Sequence, residues 1–240
     1  MRLNAVPAAS ALLAASLLTA PALAGDRAMF NPLGFSPDGR YFAFEEYGVQ
    51  DGSGFPYATI HAIDLKADKW AGGAPFAVRL EADGATLSEA RAKAAGAAKS
   101  ALATLHVTAP AEYLALNADG EGNPGKTLRF GTPGDGLGEP EDVRLLGLDT
   151  FPAAVVDTPC ADYTERPTLG FALTLDDTEL HRDITVPKSR GCALDYRLYG
   201  VLTPFTDGFD IPGTVVIVSV YPFGFEGPDR RFIAIPIDQP

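Results

Sequence analysis

Two aromatic and two charged side chains, Phe223, Phe225, Glu226 and Arg230, stand together in Pro222-Phe223-Gly224-Phe225-Glu226-Gly227-Pro228-Asp229-Arg230. Rings in a connection stiffened by Gly and Pro offer rigid apolar contact, and Glu226 and Arg230 add direction to it, the chemistry of a binding surface. The same residues also suit a structural role, with the rings folded back as a core cap and Glu226 paired to Arg230 or Arg231. Glu45 and Glu46, followed by Tyr47, close an aromatic-rich strand and either line a groove or form its wet edge. Glycoside hydrolysis needs two carboxyl groups across a cleft and no local motif, so Glu45, Glu46, Glu226 and Asp229 are its candidates. With 31 acidic residues in the chain, carboxylates alone discriminate little. Asp119, Glu121 and Asn123 alternate in a Gly-rich stretch that would suit calcium, a hard cation, although the EF-hand spacing is missing.

Other chemistries lack their parts. His61, His106 and His181 are isolated, and no His-Glu-x-x-His occurs. Neither Ser53 nor Ser219 sits in a Gly-x-Ser-x-Gly elbow, and neither a dinucleotide fingerprint nor a phosphate loop is present. Nineteen Lys and Arg against 31 Asp and Glu give a net charge of −12 without a compensating basic stripe, which argues against nucleic acid as a partner.

Residues 1–24 read as a signal peptide: Arg2 supplies the positive start, residues 11–20 the apolar run, and Ala22-Leu23-Ala24 the small residues at a cleavage site. Beyond them no apolar stretch approaches the ~20 residues of a membrane span. The expected mature chain, 25–240, is therefore a single acidic domain placed in the periplasm or secreted. An exported address favours a disulfide between Cys160 and Cys192 over two separate buried thiols.

The elements that must position these groups are mostly strands. Ser36-Pro37-Asp38-Gly39-Arg40 sets a turn before an aromatic-rich strand, and 57–65 follows as its hairpin partner, with Tyr57, Thr59, His61, Ile63 and Leu65 on one face, after a long Gly-rich connection. Thr86-Leu87-Ser88-Glu89 is a capping box opening an Ala-rich helix to Leu105, whose Leu87, Ala90, Ala94, Ala98, Ala101 and Leu105 share a face suited to close packing on a sheet. Gly/Pro-rich punctuation fills 117–140, and strands follow at 142–148, 169–175, 192–202, 214–221 and 232–237, the last two paired. The fold class is mainly β (α+β), antiparallel sheets with one substantial helix. One Ser-Pro-Asp-Gly turn suits a propeller-like hairpin, but a propeller would repeat it every 40–50 residues and this chain does not.

Phe35-Ser36-Pro37-Asp38-Gly39-Arg40-Tyr41, Tyr57-Ala58-Thr59-Ile60 and 223–232 together resemble the DUF2259 family of predicted secreted bacterial proteins, across the expected mature chain. The resemblance implies a Gram-negative periplasmic or secreted address and carries no assigned reaction. The expected function is a non-enzymatic module that binds another protein or envelope component through loops on a β scaffold. The alternative is a carbohydrate-directed hydrolase with paired carboxylates.

Overall fold

The computed structural model describes residues 25–117, 124–134, 137–205 and 213–237. The expected signal peptide and the candidate calcium ligands Asp119, Glu121 and Asn123 lie outside the described residues. Among the described residues, three antiparallel sheets and one long helix stack in layers.

The helix-side sheet runs β1 (Met29–Phe35), β2 (Tyr41–Val49), β3 (Pro56–Asp64), with β4 (Lys69–Trp70) and β5 (Phe76–Arg79) both paired to β3. After the helix α1 (Leu87–Thr104) come β6 (Ala111–Leu116), β7 (Thr127–Thr132), β8 (Glu141–Pro152), β9 (Leu169–Leu175), β10 (Thr178–Arg182), β11 (Ala193–Pro204), β12 (Thr214–Pro222) and β13 (Arg231–Ile237). The far sheet has the order β10-β9-β8-β7 and the central sheet β13-β12-β11-β6.

The central sheet is apolar on both faces. Along β12, Val216, Val218 and Val220 join Leu146, Leu148, Phe171 and Leu173 of the far sheet in one core. Val215 and Ile217, pointing the other way, join Phe42, Phe44 and Ile63 of the helix-side sheet in a second. Such a strand reads in sequence as a continuous apolar run because neither face alternates with solvent. On β11 the register steps from Leu198 opposite Val218 to Gly200 opposite Ile217, leaving Tyr199 as an extra residue. This bulge switches which parity faces each core: Tyr196, Leu198 and Val201 enter the far core, whereas Tyr199 and Leu202 pack into the other.

The helix covers the outer face of the first sheet. Thr86 Oγ1 accepts from the Glu89 amide at 3.3 Å and the Glu89 carboxylate accepts from the Thr86 amide at 2.8 Å, so the capping box forms as its sequence predicts. Ala90, Ala94 and Ala98 are fully buried against Ala58 and Ile60, a contact that small side chains permit. Residues 57–65 thus have cover on both faces, beyond the single apolar face their alternation predicts. At Ser36-Pro37-Asp38-Gly39-Arg40, Gly39 takes φ +68° and Asp38 accepts from the Ser36 hydroxyl and the Arg40 amide. Those bonds hold the Asp38 carboxyl below the usual range, the hydroxyl most strongly. Arg40 then crosses to Asp64 at 2.7 Å, joining the start of β2 to the end of β3.

Two expectations are revised. The β2–β3 connection is short and closed, the Gln50 amide donating to the Phe55 carbonyl at 2.9 Å and the Gly54 amide to the Gln50 carbonyl at 3.0 Å. The Gly/Pro-rich stretch contains β7, which inserts Leu128 and Phe130 into the far core. As the missing repeat predicts, the first hairpin belongs to a stacked sheet, and the described residues form no closed propeller.

Cys160, in a short 3-10 turn after β8, is bonded to Cys192 immediately before β11, with Cα atoms 5.6 Å apart. The bond staples the far sheet's connecting segment to the central sheet. Replacing both cysteines with Ala is expected to lower stability by about 3–4 kcal/mol in the chain-entropy model, read from urea unfolding of the non-reduced proteins. A Cβ at Gly96, in the middle of α1, would meet nothing within 4 Å. Gly96→Ala is therefore expected to raise stability by up to ~1 kcal/mol in the same assay.

Candidate functional site

The connection between β12 and β13 meets two other segments: the chain entering β1 and the β2–β3 turn. Its own closure comes first. The Asp229 amide donates to the Pro222 carbonyl at 2.9 Å, and the Phe223 amide to the Cys192 carbonyl at 2.9 Å. Gly224 lies so near this closure that a Cβ there would fall 2.3 Å from the Gly227 carbonyl oxygen, which excludes any larger residue without rearrangement. Long-range bonds then fix the loop to the body. The Asp26 amide donates to Asp229 Oδ1 at 2.8 Å, the Arg230 amide to the Asp26 carbonyl at 2.7 Å, and the Asp51 amide to Asp26 Oδ1.

This frame presents Phe225 almost entirely to solvent, at 97% exposure, and Phe223 at 39%. Below Phe225 lies a shallow cavity lined by Asp26, Asp51, Ser53, Glu226 and Asp229. The neighbouring Asp51 carboxyl pushes Glu226 above the usual glutamate range, favouring a proton that the two groups can share first and repelling a second negative charge next. Burial pushes Asp229 up, although the Asp26 amide and Arg231 oppose it. Arg231 bridges the inner side, donating to Asp26 Oδ2 at 3.1 Å and to the Tyr57 hydroxyl at 3.2 Å. Burial pushes that tyrosine up to about 12.

Of the six residues singled out in the sequence, Phe223, Phe225 and Glu226 share this exposed loop. Arg230 does not face outward with them. It is 5% exposed, and its guanidinium turns inward to donate through Nε and Nη2 to the Ala28 carbonyl at 3.0 and 2.6 Å. Glu45 and Glu46 are both buried and, as neighbours on a strand, point to opposite faces. Glu45 faces the helix: Arg91 donates to its two oxygens at 2.9 and 2.7 Å, Asn31 adds a third bond, and the guanidinium lies 4.0 Å from the Tyr47 ring centroid. Glu46 faces the central sheet, accepting from the Phe232 amide and lying 3.6 Å from His61 Nε2. These two glutamates therefore do not form a pair across one cleft, whereas Glu226 and Asp229 line the same cavity.

Asp26 and Asp51 complete the cluster without any local sequence signal, since Asp26 and Asp229 are 203 positions apart. His181 belongs elsewhere, beside the buried Asp183 at 3.0 Å, where Arg190 Nη1 reaches both carboxylate oxygens at 2.8 Å. Among the described residues no group of three or more His, Cys, Asp or Glu is arranged to hold a metal ion. No described helix is long and apolar enough to cross a membrane.

A layered β scaffold with an internal disulfide defines the class as a disulfide-bonded α+β protein. A family model described as "Predicted secreted protein (DUF2259)" matches residues 43–238, and the chain belongs to that family. No curated protein and no solved structure matches the chain.

Arg91→Ala would strand the Glu45 carboxylate between sheet and helix. A loss of about 2–3 kcal/mol is expected in chemical denaturation, less than for a fully buried pair because Arg91 is itself 39% exposed.

Proposed function

We propose that the protein is a non-enzymatic binding module of the bacterial cell envelope, working in the periplasm, and that Phe225 is its principal contact. The observation that carries this reading is a large ring 97% exposed on a loop whose backbone is tied at Asp229, Phe223 and Arg230. An aromatic side chain held this way loses little conformational entropy when a partner covers it, which is the property of a binding anchor. Phe223, half-covered beside it, extends the apolar contact. Asp51 and Glu226 place carboxyl groups around the ring, so the complementary surface is an apolar pocket rimmed by cationic or hydrogen-bond-donating groups. Arg230 supports the loop from within and makes no part of that contact.

The test is site-specific photo-crosslinking in the producing cell, with benzoylphenylalanine at position 225 and, as a control, at the equally exposed Leu137. A discrete adduct is expected from 225 and not from 137. A reporter at Ser53, on the same cavity, should lose its adduct in Phe225→Ala while secretion and circular dichroism remain unchanged. Equal labelling at 225 and 137, or none at 225, refutes the reading.

A further inference from the structure

The loop is rooted at the start of β13, where the Phe232 amide is held by the Glu46 carboxylate. That carboxylate has a second neighbour. His61, on β3 two residues beyond Thr59, the cross-strand partner of Glu46, reaches diagonally to bring Nε2 to 3.6 Å from Glu46 Oε2, with side-chain exposures of 12% and 7%. Both ring nitrogens of His61 are buried and make no hydrogen bond among the described residues. A neutral imidazole always carries one N–H, so this side chain holds a donor with nothing to receive it while an acceptor stands just beyond bonding range. The ring is packed between Phe44, with centroids 4.7 Å apart, and Trp70, at 5.1 Å.

We propose that His61 is a proton-responsive anchor: on taking up a proton its imidazolium closes onto Glu46 and tightens the hold of β2 on the start of β13. The charged groups of the surrounding elements leave this partnership open. Arg231 of β13 acts on Glu46 through its charge, but its hydrogen bonds go to Tyr57, Asp26 and the Arg230 carbonyl. Arg79 of β5 is paired with Glu81, Lys69 of β4 is exposed opposite Asp64, and Asp64 is taken by Arg40. Glu46 is thus the carboxylate that faces the ring. A second proton donor on it would convert a near-contact into a charge-assisted hydrogen bond in a water-poor setting. The gain belongs to the protonated state, so it is lost when the imidazolium gives up its proton. Its effect on partner capture rests on the binding role of the Phe225 loop, whereas the anchor itself is measured on the free protein, so either can fail alone.

Trp70 is the chain's single tryptophan and packs its ring at a tilt against His61, which gives a direct readout. An imidazolium quenches a neighbouring indole more strongly than an imidazole does. Intrinsic fluorescence of the purified mature protein, titrated from about pH 5 to pH 8, should therefore rise with pH. His61→Phe, which keeps an aromatic ring between Phe44 and Trp70, should lose the transition. Glu46→Gln keeps an acceptor for the Phe232 amide but removes the charge, so the transition should move to lower pH and the extra stability of the acid side should vanish in urea unfolding. A flat titration in the natural protein, an unchanged transition in His61→Phe, or the same pH-dependence of stability with and without the Glu46 charge would each overturn the proposal.

Discussion

Burial of β12 on both faces is the constraint from which the other layers follow. Val215 and Ile217 look one way and Val216, Val218 and Val220 the other, and each set needs an apolar partner surface. A single covering sheet would leave the opposite row of side chains in water. The helix-side and far sheets answer the two faces separately. The helix-side sheet, flanked in turn by the Ala90, Ala94 and Ala98 face of α1, becomes a second layer with cover on both sides. The far sheet ends the stack, and Leu145 is exposed on β8 next to the fully buried Leu146, the alternation of a sheet with one wet face.

Charged groups tie these layers where apolar packing alone would leave their relative position loose. Glu45 with Arg91 fixes helix to sheet, Glu46 with the Phe232 amide fixes the helix-side sheet to the edge of the central one, and Asp183 gathers Arg190, His181 and the Phe171 amide. Burial pushes the Asp183 carboxyl up, yet its three partners outweigh this and hold it below the usual range. A carboxylate that is depressed in the folded state supports folding above its ordinary range and loses that support as pH falls. The network therefore favours the native state at neutral pH and is lost in strong acid.

Local chemistry made much of the fold legible. The capping box identified α1 because the bonds it forms lie within four residues, and the uninterrupted apolar run identified β12 because both of its faces are buried. Two cysteines in an exported chain identified the disulfide. What escaped depends on distance along the chain. β7 lies among Gly and Pro residues whose turn signals hide the alternation of Leu128 and Phe130. For the site, the aromatic loop was visible as a compact segment, but Asp26 and Asp51 reach it only through folding. Arg230 shows the opposite error: a charge at the end of a loop reads as solvent-facing, and only the position of the Ala28 carbonyl turns it inward.

The edge of the central sheet has a further consequence. On β13, Phe232, Ala234 and Pro236 share one parity, opposite Ser219, Ile217 and Val215. Pro236 has no amide hydrogen to give to β12, and the Phe232 amide goes to Glu46, so this parity points away from the sheet. Along that rim one amide is occupied and another is missing, leaving Ala234 as the intervening donor. A foreign strand adding here would find two of the three amide donors on this rim gone. The same carboxylate that roots the aromatic loop thus helps keep a long apolar sheet from growing, strand by strand, into an aggregate.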